Sequence, residues 1–232
     1  MSDQPPAARV SLKPSASFAL ATIKKYPGPL IGLAAIVTIL QFMSSVGSGA
    51  LENVLVSCLD AQSPGQVNSC DLAISEATGP LAWALLFSVL ATVAVIGVQR
   101  AALDSTLGIA PSMRSLLSTR YLGRYLLYLV ASTVLMAIGF VLCLLPGLIV
   151  AYFLQFGAYA VLDRGAGVGQ AMRTSVALVR AHPGPAFSLL MIHVAGLLLG
   201  SLFMGIPTLV VLPFVTLLTA HAYRDFHFAP QG

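Results

Sequence analysis

Long apolar stretches separated by short polar joints run through most of the chain. Within each stretch the apolar residues are continuous and do not alternate with polar ones, which is typical of a membrane-spanning helix and excludes a membrane β-barrel. A hydrocarbon core about 30 Å thick needs roughly 20 helical residues, or about 17 where the bilayer adapts. The pattern therefore predicts an all-α, polytopic membrane bundle of six transmembrane helices, the fourth and sixth being short. These stretches are residues 29–50, 80–98, 125–145, 147–162, 186–204 and 207–223.

Basic residues lie on only one side of this predicted bundle. All twelve Lys and Arg residues fall in the N-terminal segment, in the second and fourth joints, or after the last span, whereas the joint 51–79 carries only acidic charges. Because cytoplasmic loops accumulate Lys and Arg, we expect both termini in the cytoplasm and 51–79 to be an extracytoplasmic loop. One membrane domain, 15–226, then lies between a disordered N-terminal segment, 1–14, and a cytoplasmic tail, 227–232.

Composition excludes an ordinary soluble domain. Hydrophobic residues make up 57% of the chain and charged residues 9%, with a mean hydropathy of +0.89, whereas a typical globular chain has about 25% charged residues. The net charge of +4 does not indicate nucleic-acid binding, because the basic residues flank helices and form no basic stripe. No cleavable signal peptide is predicted, and the first span is expected to serve as the insertion signal.

A similar segment precedes the first and the fifth predicted spans. Residues 19–29 and 175–185 each combine a helix-forming stretch and a basic last turn with the sequence Pro-Gly-Pro. Residues 111–121, before the third span, begin with a proline suited to a first helical turn but lack Pro-Gly-Pro. We therefore predict three repeats, each made of a cytoplasmic amphipathic helix and a transmembrane hairpin.

The cytoplasmic helices could lie in the lipid headgroup layer with their apolar faces toward the membrane. In the joint 163–185 the predicted apolar face consists of Val168, Met172, Val176 and Val179. The alternative, which the frequency of such basic patterns favours, is that these helices only fasten the bundle at its cytoplasmic rim. The candidate contacts to lipid headgroups are Lys24, Lys25, Arg114, Arg120, Arg173 and Arg180.

Two of the three cysteines fall in the predicted exterior loop. An oxidising compartment would allow Cys58 and Cys70 to form a disulfide, and the alternatives are two free thiols or a bridge to another chain. Without a histidine in that loop the pair makes a poor metal site. Cys143, inside the third span, is interpreted as a small packing residue.

Four polar side chains are predicted at membrane depth. His193 is the only ionisable group there, and a neutral histidine bonded to a neighbouring helix is favoured over a proton relay. Gln41, Gln99 and Gln155 could line a pathway, although hydrogen bonds between helices are the default interpretation. A cavity lined by these four residues would favour transport, and a filled bundle would favour a scaffold.

Signatures of membrane enzymes are absent from the sequence. There is no HExxH helix, no phosphate loop and no paired acidic motif. Ser48 lies in Val-Gly-Ser-Gly, which is not the motif of intramembrane serine proteases. We therefore predict a protein that is not an enzyme and has no catalytic residue, cofactor or metal.

The C-terminal half resembles a group of bacterial six-span proteins. The similar segments are Cys143-Leu-Leu-Pro-Gly-Leu-Ile-Val150, Val161-Leu-Asp-Arg164, Ala171-Met-Arg-Thr-Ser-Val176 and Tyr223-Arg-Asp-Phe226. They are similar to actinobacterial proline- and glycine-rich transmembrane proteins and, more loosely, to the membrane domain of some glycerophosphodiester phosphodiesterases. The resemblance implies a six-span, repeat-built protein of the bacterial cytoplasmic (inner) membrane and implies no activity. The long cytoplasmic tail of those proteins is reduced here to Pro5-Pro6.

Two functions fit these observations. The first is an accessory or scaffold component of a bacterial envelope process, with membrane lipids and other membrane proteins as partners. The second is a small transporter or lipid-handling protein with a cavity between repeats. A membrane enzyme fits least well, because all eight carboxylates lie at helix ends or in predicted loops.

Overall fold

A computed structural model describes residues 12–60, 67–111, 121–203 and 205–228. These residues form helices joined by short turns and no strand, which confirms the predicted all-α class. In chain order the helices are α1 (Lys13–Lys25), α2 (Pro27–Asp60), α3 (Val67–Thr106), α4 (Leu122–Leu142), α5 (Leu144–Leu154), α6 (Gly157–Arg164), α7 (Val168–Ala181), α8 (Pro183–Leu202) and α9 (Thr208–Phe228).

Within the described residues, five segments are long and apolar enough to cross a membrane. They are Pro27–Leu59, Asp71–Thr106, Leu122–Leu142, Leu144–Arg164 and Pro183–Leu202, the fourth being α5 and α6 taken together. The predicted sixth span, 207–223, falls in α9, which is not one of these five.

The ends of α1 and α7 share one backbone geometry. Tyr26 closes α1 with φ −129° and ψ 58°, and His182 closes α7 with φ −130° and ψ 60°. In each case the first proline of Pro-Gly-Pro begins the next helix, at Pro27 and at Pro183. Proline fits there because the first turn of a helix leaves its backbone N–H groups without partners in any case. The sequence pattern thus marks the same elbow at both places.

Buried positions on either side of these elbows also correspond. Five buried residues around the first elbow have a buried counterpart 156 positions later in the chain, which is the offset that aligns 19–29 with 175–185. The pairs are Ser15 with Ala171, Ala19 with Ser175, Thr22 with Leu178, Leu30 with Ala186 and Leu33 with Leu189.

The face of α7 that is buried differs from the predicted one. Ala171, Ser175 and Leu178 are buried together with Val179, whereas Val168 and Met172 are only partly buried. Ser175 is fully buried: its hydroxyl donates to Phe153 O at 2.7 Å and accepts from Phe156 N–H at 3.1 Å. Small side chains therefore face α5 and α6, since they allow the helices to approach closely.

Two predicted boundaries are wrong. The segment 51–79 is mostly helix, because α2 continues to Asp60 and α3 begins at Val67. Acidic residues end the apolar stretch but do not end a helix, since helix propensity and hydropathy are separate properties. The turn between the third and fourth spans lies at Cys143, whose backbone is extended, and not at Pro146, which occupies the first turn of α5.

Helix α9 packs against α1, α2, α3 and α8 and lies at the centre of the bundle. Its residues 215–223 are almost all buried, and Leu217, Leu218, Tyr223 and Phe226 are at most 1% exposed. We call one end of the bundle the basic end. There α3 and α9 finish, α2 begins, and the described Lys and Arg side chains lie.

Candidate functional site

A cleft of about 360 Å³ lies between the hairpin of α2 and α3 and the first helix of the next hairpin, α4. Its walls combine hydroxyl and amide groups with small apolar side chains. The residues that line it are Gln41, Ser44, Ser88, Ala91, Thr92, Val95, Tyr125 and Leu129. Among the described residues, no charged side chain lines this cleft.

Three of the polar side chains in the cleft have their donors occupied by the protein itself. The Ser44 hydroxyl donates to Ala84 O at 3.1 Å, and the Thr92 hydroxyl donates to Ser88 O at 2.8 Å. At the basic end the Tyr125 hydroxyl donates to Gln99 Oε1 at 3.0 Å. These groups can still accept a hydrogen bond, but they have no free donor.

The side chains of Gln41 and Ser88, unlike those of the other three residues, are not hydrogen-bonded to the described part of the protein. Both side chains are exposed. In lipid an amide or hydroxyl without a partner is costly. The cleft therefore presents one amide and one hydroxyl that can both donate and accept.

The four polar residues predicted at membrane depth do not come together. Gln41 lines the cleft and Gln99 supports it through Tyr125. Gln155 donates instead to Ala186 O at 3.1 Å and thereby joins α5 to α8. His193 Nδ1 lies 2.9 Å from Leu189 O of its own helix. Among the described residues, His193 therefore bonds its own helix, whereas the interpretation favoured from the sequence was a bond to a neighbouring helix. The four residues do not line one cleft in this part of the chain, so the arrangement that would favour a transport pathway is not found there.

The cysteine pair is only partly described. Cys58 lies near the end of α2 and has an interaction partner, whereas the side chain of Cys70 lies outside the described residues. Cys143 is an exposed free thiol at the turn before α5, not the packing residue predicted within a span. The disulfide stays a prediction.

We expect mass spectrometry of protein digested without reductant to find the Cys58 and Cys70 peptides joined. Cys143 should be alkylated in the same sample and serves as the internal control. Alkylation of Cys58 and Cys70 to the same extent as Cys143 would contradict the prediction.

An ion pair at the basic end joins α6 to α9 and was not predicted from the sequence. Arg224 Nη2 donates to Asp163 Oδ1 at 3.0 Å, with both side chains about one-fifth exposed, at 18% and 20%. Arg164 Nε lies 3.7 Å from the other carboxylate oxygen, and the Arg164 side chain is 48% exposed. The sequence signal is that the fourth and the sixth predicted spans each end in one acidic and one basic residue. These are Asp163-Arg164 and Arg224-Asp225.

Helix α1 is fastened to α9 by a second polar cluster at the same end. His221 Nδ1 lies 2.9 Å from Asp225 Oδ2 and 3.1 Å from the hydroxyl of Ser15, which is 1% exposed. The Phe18 ring packs on the His221 ring with 4.6 Å between centroids. These contacts agree with the interpretation that the short helices fasten the bundle.

The candidate headgroup contacts are described in part. Lys24, Lys25, Arg173 and Arg180 are all exposed at the basic end, while Arg114 and Arg120 lie outside the described residues. Lys25 Nζ lies 5.2 Å from the Tyr26 ring centroid. In the described ranges, no group of three or more His, Cys, Asp or Glu side chains is arranged to hold a metal.

Comparison with known proteins gives one match. No curated protein and no solved structure matches the chain. A family model matches residues 77–230, which are more than half of the chain and include α4 to α9 and most of α3. The matched region contains the ion pair and two of the three helices that line the cleft, but not α2 with Gln41. The chain belongs to the DUF7847 family, defined by a domain of unknown function.

Proposed function

We propose that the protein is a non-catalytic integral membrane protein that accommodates a lipid in the cleft between its first two hairpins. The observation that carries this proposal is the cleft itself, with Gln41 and Ser88 open to it and no charged side chain among the described residues that line it. The volume of about 360 Å³ falls within the range of roughly 300–1,000 Å³ of small-molecule sites. A lipid-handling role fits this geometry better than a scaffold, for which a filled bundle is expected.

The absence of an acid–base pair in the cleft supports a binding role over a catalytic one. Catalysis needs a nucleophile or a proton-transfer group within reach of the reacting atoms. The hydroxyls of Ser44 and Thr92 donate to backbone carbonyls, and no general base lines the cleft among the described residues. The described geometry thus supports reversible occupancy of the cleft.

We infer six spans with both termini on the basic side, in a bacterial cytoplasmic membrane. Helix α9 has 21 residues, so it is about 31 Å long, enough to cross the hydrocarbon core. Its last turns bring Arg224 to the end where Arg164 lies, and the α1–α9 contacts hold the N-terminal helix there too. The corresponding elbows at Tyr26 and His182 support a repeat-built architecture. The exposed Lys and Arg side chains of this rim are then placed to contact anionic headgroups.

The topology is tested by labelling single cysteines in intact cells with an impermeant maleimide. In a variant lacking the native cysteines, we expect a cysteine introduced within 61–66 to be labelled from outside. A cysteine introduced within 229–232 should react only after the membrane is permeabilised, because the basic side faces the cytoplasm. Labelling of the C-terminal position in intact cells would contradict six spans.

The cleft function is tested by filling the cleft with a larger side chain. Ala91 is 6% exposed and lines the cleft, so Ala91→Phe should occupy much of the space. Ala195, exposed on α8 away from the cleft, offers Ala195→Phe as the matched control. We expect lipid that co-purifies with the native protein and with Ala195→Phe, quantified by mass spectrometry, to be lost from Ala91→Phe.

Equal lipid content in all three proteins would contradict the cleft function. A specific protein partner that still co-purifies with Ala91→Phe, alongside unchanged lipid, would support the accessory or scaffold role predicted from the sequence. Gel filtration of each variant checks that it remains a folded, monodisperse membrane protein.

A further inference from the structure

We infer that the occupant of the cleft is an uncharged lipid whose hydroxyl or ester group reaches the middle of the bilayer at Gln41 and Ser88. This inference rests on the proposed function and names the class of ligand. Diacylglycerols and long-chain alcohols belong to this class, whereas phospholipids do not.

The cleft runs along the helices from the basic end toward the middle of the membrane. At a rise of about 1.5 Å per residue, Gln41 lies about 21 Å along α2 from Pro27, and Ser88 about 18 Å along α3 from Arg100. Tyr125 lies at the other end of the cleft, next to Arg124 near the start of α4. Because the hydrocarbon core is about 30 Å thick, the unpaired amide and hydroxyl lie close to its middle.

The cleft has polar groups near the middle of the bilayer, where an ordinary phospholipid has none. A phospholipid keeps its charged headgroup and esters near the interface, so only methylene groups reach the middle of the bilayer. Methylenes cannot pair with the Gln41 amide or the Ser88 hydroxyl, which have no partner among the described residues. A lipid without a charged headgroup is free to sink until its polar group meets both side chains.

The lack of a cationic side chain in the described lining also favours an uncharged lipid over a phospholipid. A phosphate drawn to the depth of Gln41 would lose its hydration, and burying a charge without a counter-charge is costly. The described lining contains no cationic side chain. Arg124, beside Tyr125 at the mouth, donates instead to Gly165 O. The cleft therefore offers hydrogen bonds but no charge neutralisation, which selects for an uncharged ligand.

Equilibrium binding to the purified full chain in detergent tests this inference, with radiolabelled dioleoylglycerol as the probe. Dioleoylphosphatidic acid has the same acyl chains plus a phosphate and is the matched competitor. We expect it to compete at least about tenfold more weakly than unlabelled dioleoylglycerol. Gln41→Leu combined with Ser88→Ala should weaken dioleoylglycerol binding about tenfold, since one or two hydrogen bonds are lost.

Ser188→Ala is the control for Ser88→Ala, because Ser188 is an exposed serine of α8 whose hydroxyl donates to Gly184 O of its own helix. It should leave binding unchanged. If the double variant is not recovered as a monodisperse protein, Ser88→Ala alone should weaken binding about threefold.

The possible failures are distinguishable. Equal binding of the two lipids, with both weakened by Ala91→Phe, would overturn the selectivity for uncharged lipids and leave the cleft function standing. Saturable binding of neither lipid, or binding that Ala91→Phe does not change, would overturn both. Dioleoylglycerol binding that is unchanged in the double variant but lost in Ala91→Phe would overturn the role of Gln41 and Ser88.

Discussion

Replacing Arg224 with methionine is expected to lower the free energy of unfolding by about 3 kcal/mol. Removing one partner of a largely buried pair leaves the other charge uncompensated. Here the Asp163 carboxylate would keep only the 3.7 Å contact to Arg164, whose side chain is half-exposed. We take the lower end of the usual range because both partners are about one-fifth exposed, at 18% and 20%. Methionine retains most of the side-chain length, so the effect reports the lost charge more than lost packing.

Arg164→Met is the matched control. It removes the same chemical group from the same carboxylate, but an exposed pair of this kind contributes only about 0–1 kcal/mol. Unfolding by a denaturing detergent, followed by far-ultraviolet circular dichroism, compares the two variants. A combined Arg224→Met and Asp163→Leu variant should recover part of the loss, because no buried charge is left unpaired. Equal small losses for both arginine variants would show that α6 and α9 do not depend on this pair.

Gly157→Ala is expected to destabilise the bundle by about 3 kcal/mol as well. A Cβ at residue 157 would lie 2.2 Å from the Tyr128 hydroxyl oxygen. That hydroxyl donates to Leu154 O at 2.8 Å, and the Tyr128 side chain is only 4% exposed. The ring is therefore enclosed by the protein, and displacing it would also break the hydrogen bond that ties α4 to the end of α5.

Gly123→Ala provides the comparison, since Gly123 lies in α4 and a Cβ there meets nothing within 4 Å. It should be neutral or stabilise the helix by up to about 1 kcal/mol. Combining Gly157→Ala with Tyr128→Phe removes the nearest clashing atom, so its loss should be smaller than the sum of the two single losses. The same unfolding assay measures all four variants. Losses that add fully would contradict a direct contact between Gly157 and Tyr128.

The helical elements were predictable because their cause is local. A continuous apolar stretch must form a helix in lipid, where every backbone N–H and C=O needs an internal partner. The elbows at Tyr26 and His182 were likewise visible as Pro-Gly-Pro, since proline restricts the first turn of the helix that follows. The helical parts of 51–79 do not follow from the apolar pattern, because a fall in hydropathy marks the end of a span but not the end of a helix.

The inward faces of the helices were not predictable from hydropathy. In α7 the buried residues include Ala171 and Ser175, whereas Val168 and Met172 are only partly covered. At the turn between α4 and α5, Val141 and Leu142 are 88% and 74% exposed. A membrane surface is as apolar as a protein core, so a large apolar side chain has no reason to point inward, and close packing favours small residues instead.

The candidate site, like the helices, is predictable from the sequence only in part. Gln41 and Gln99 are recognisable from the sequence as polar groups in apolar stretches. The structure places Gln41 in the cleft, and Gln99 accepts a hydrogen bond from Tyr125, which lines it. Gln155 and His193 were equally prominent but bond to backbone carbonyls elsewhere in the bundle. Ser88 carried no signal, because a serine in a span commonly bonds its own helix, as Ser188 does.

The amino-acid pattern is enough to establish that this protein is helical, that its helices are apolar enough for a membrane, and that two helices begin at Pro-Gly-Pro. These properties follow from backbone hydrogen bonding and from the restrictions that proline imposes, which act within a few residues. The pairing of Asp163 with Arg224, 61 positions away, and the polar cleft between the first two hairpins arise from the packing of the helices. Such contacts depend on how helices of nearly uniform apolarity pack, and that choice is made by side-chain shape and by the few polar groups that need partners.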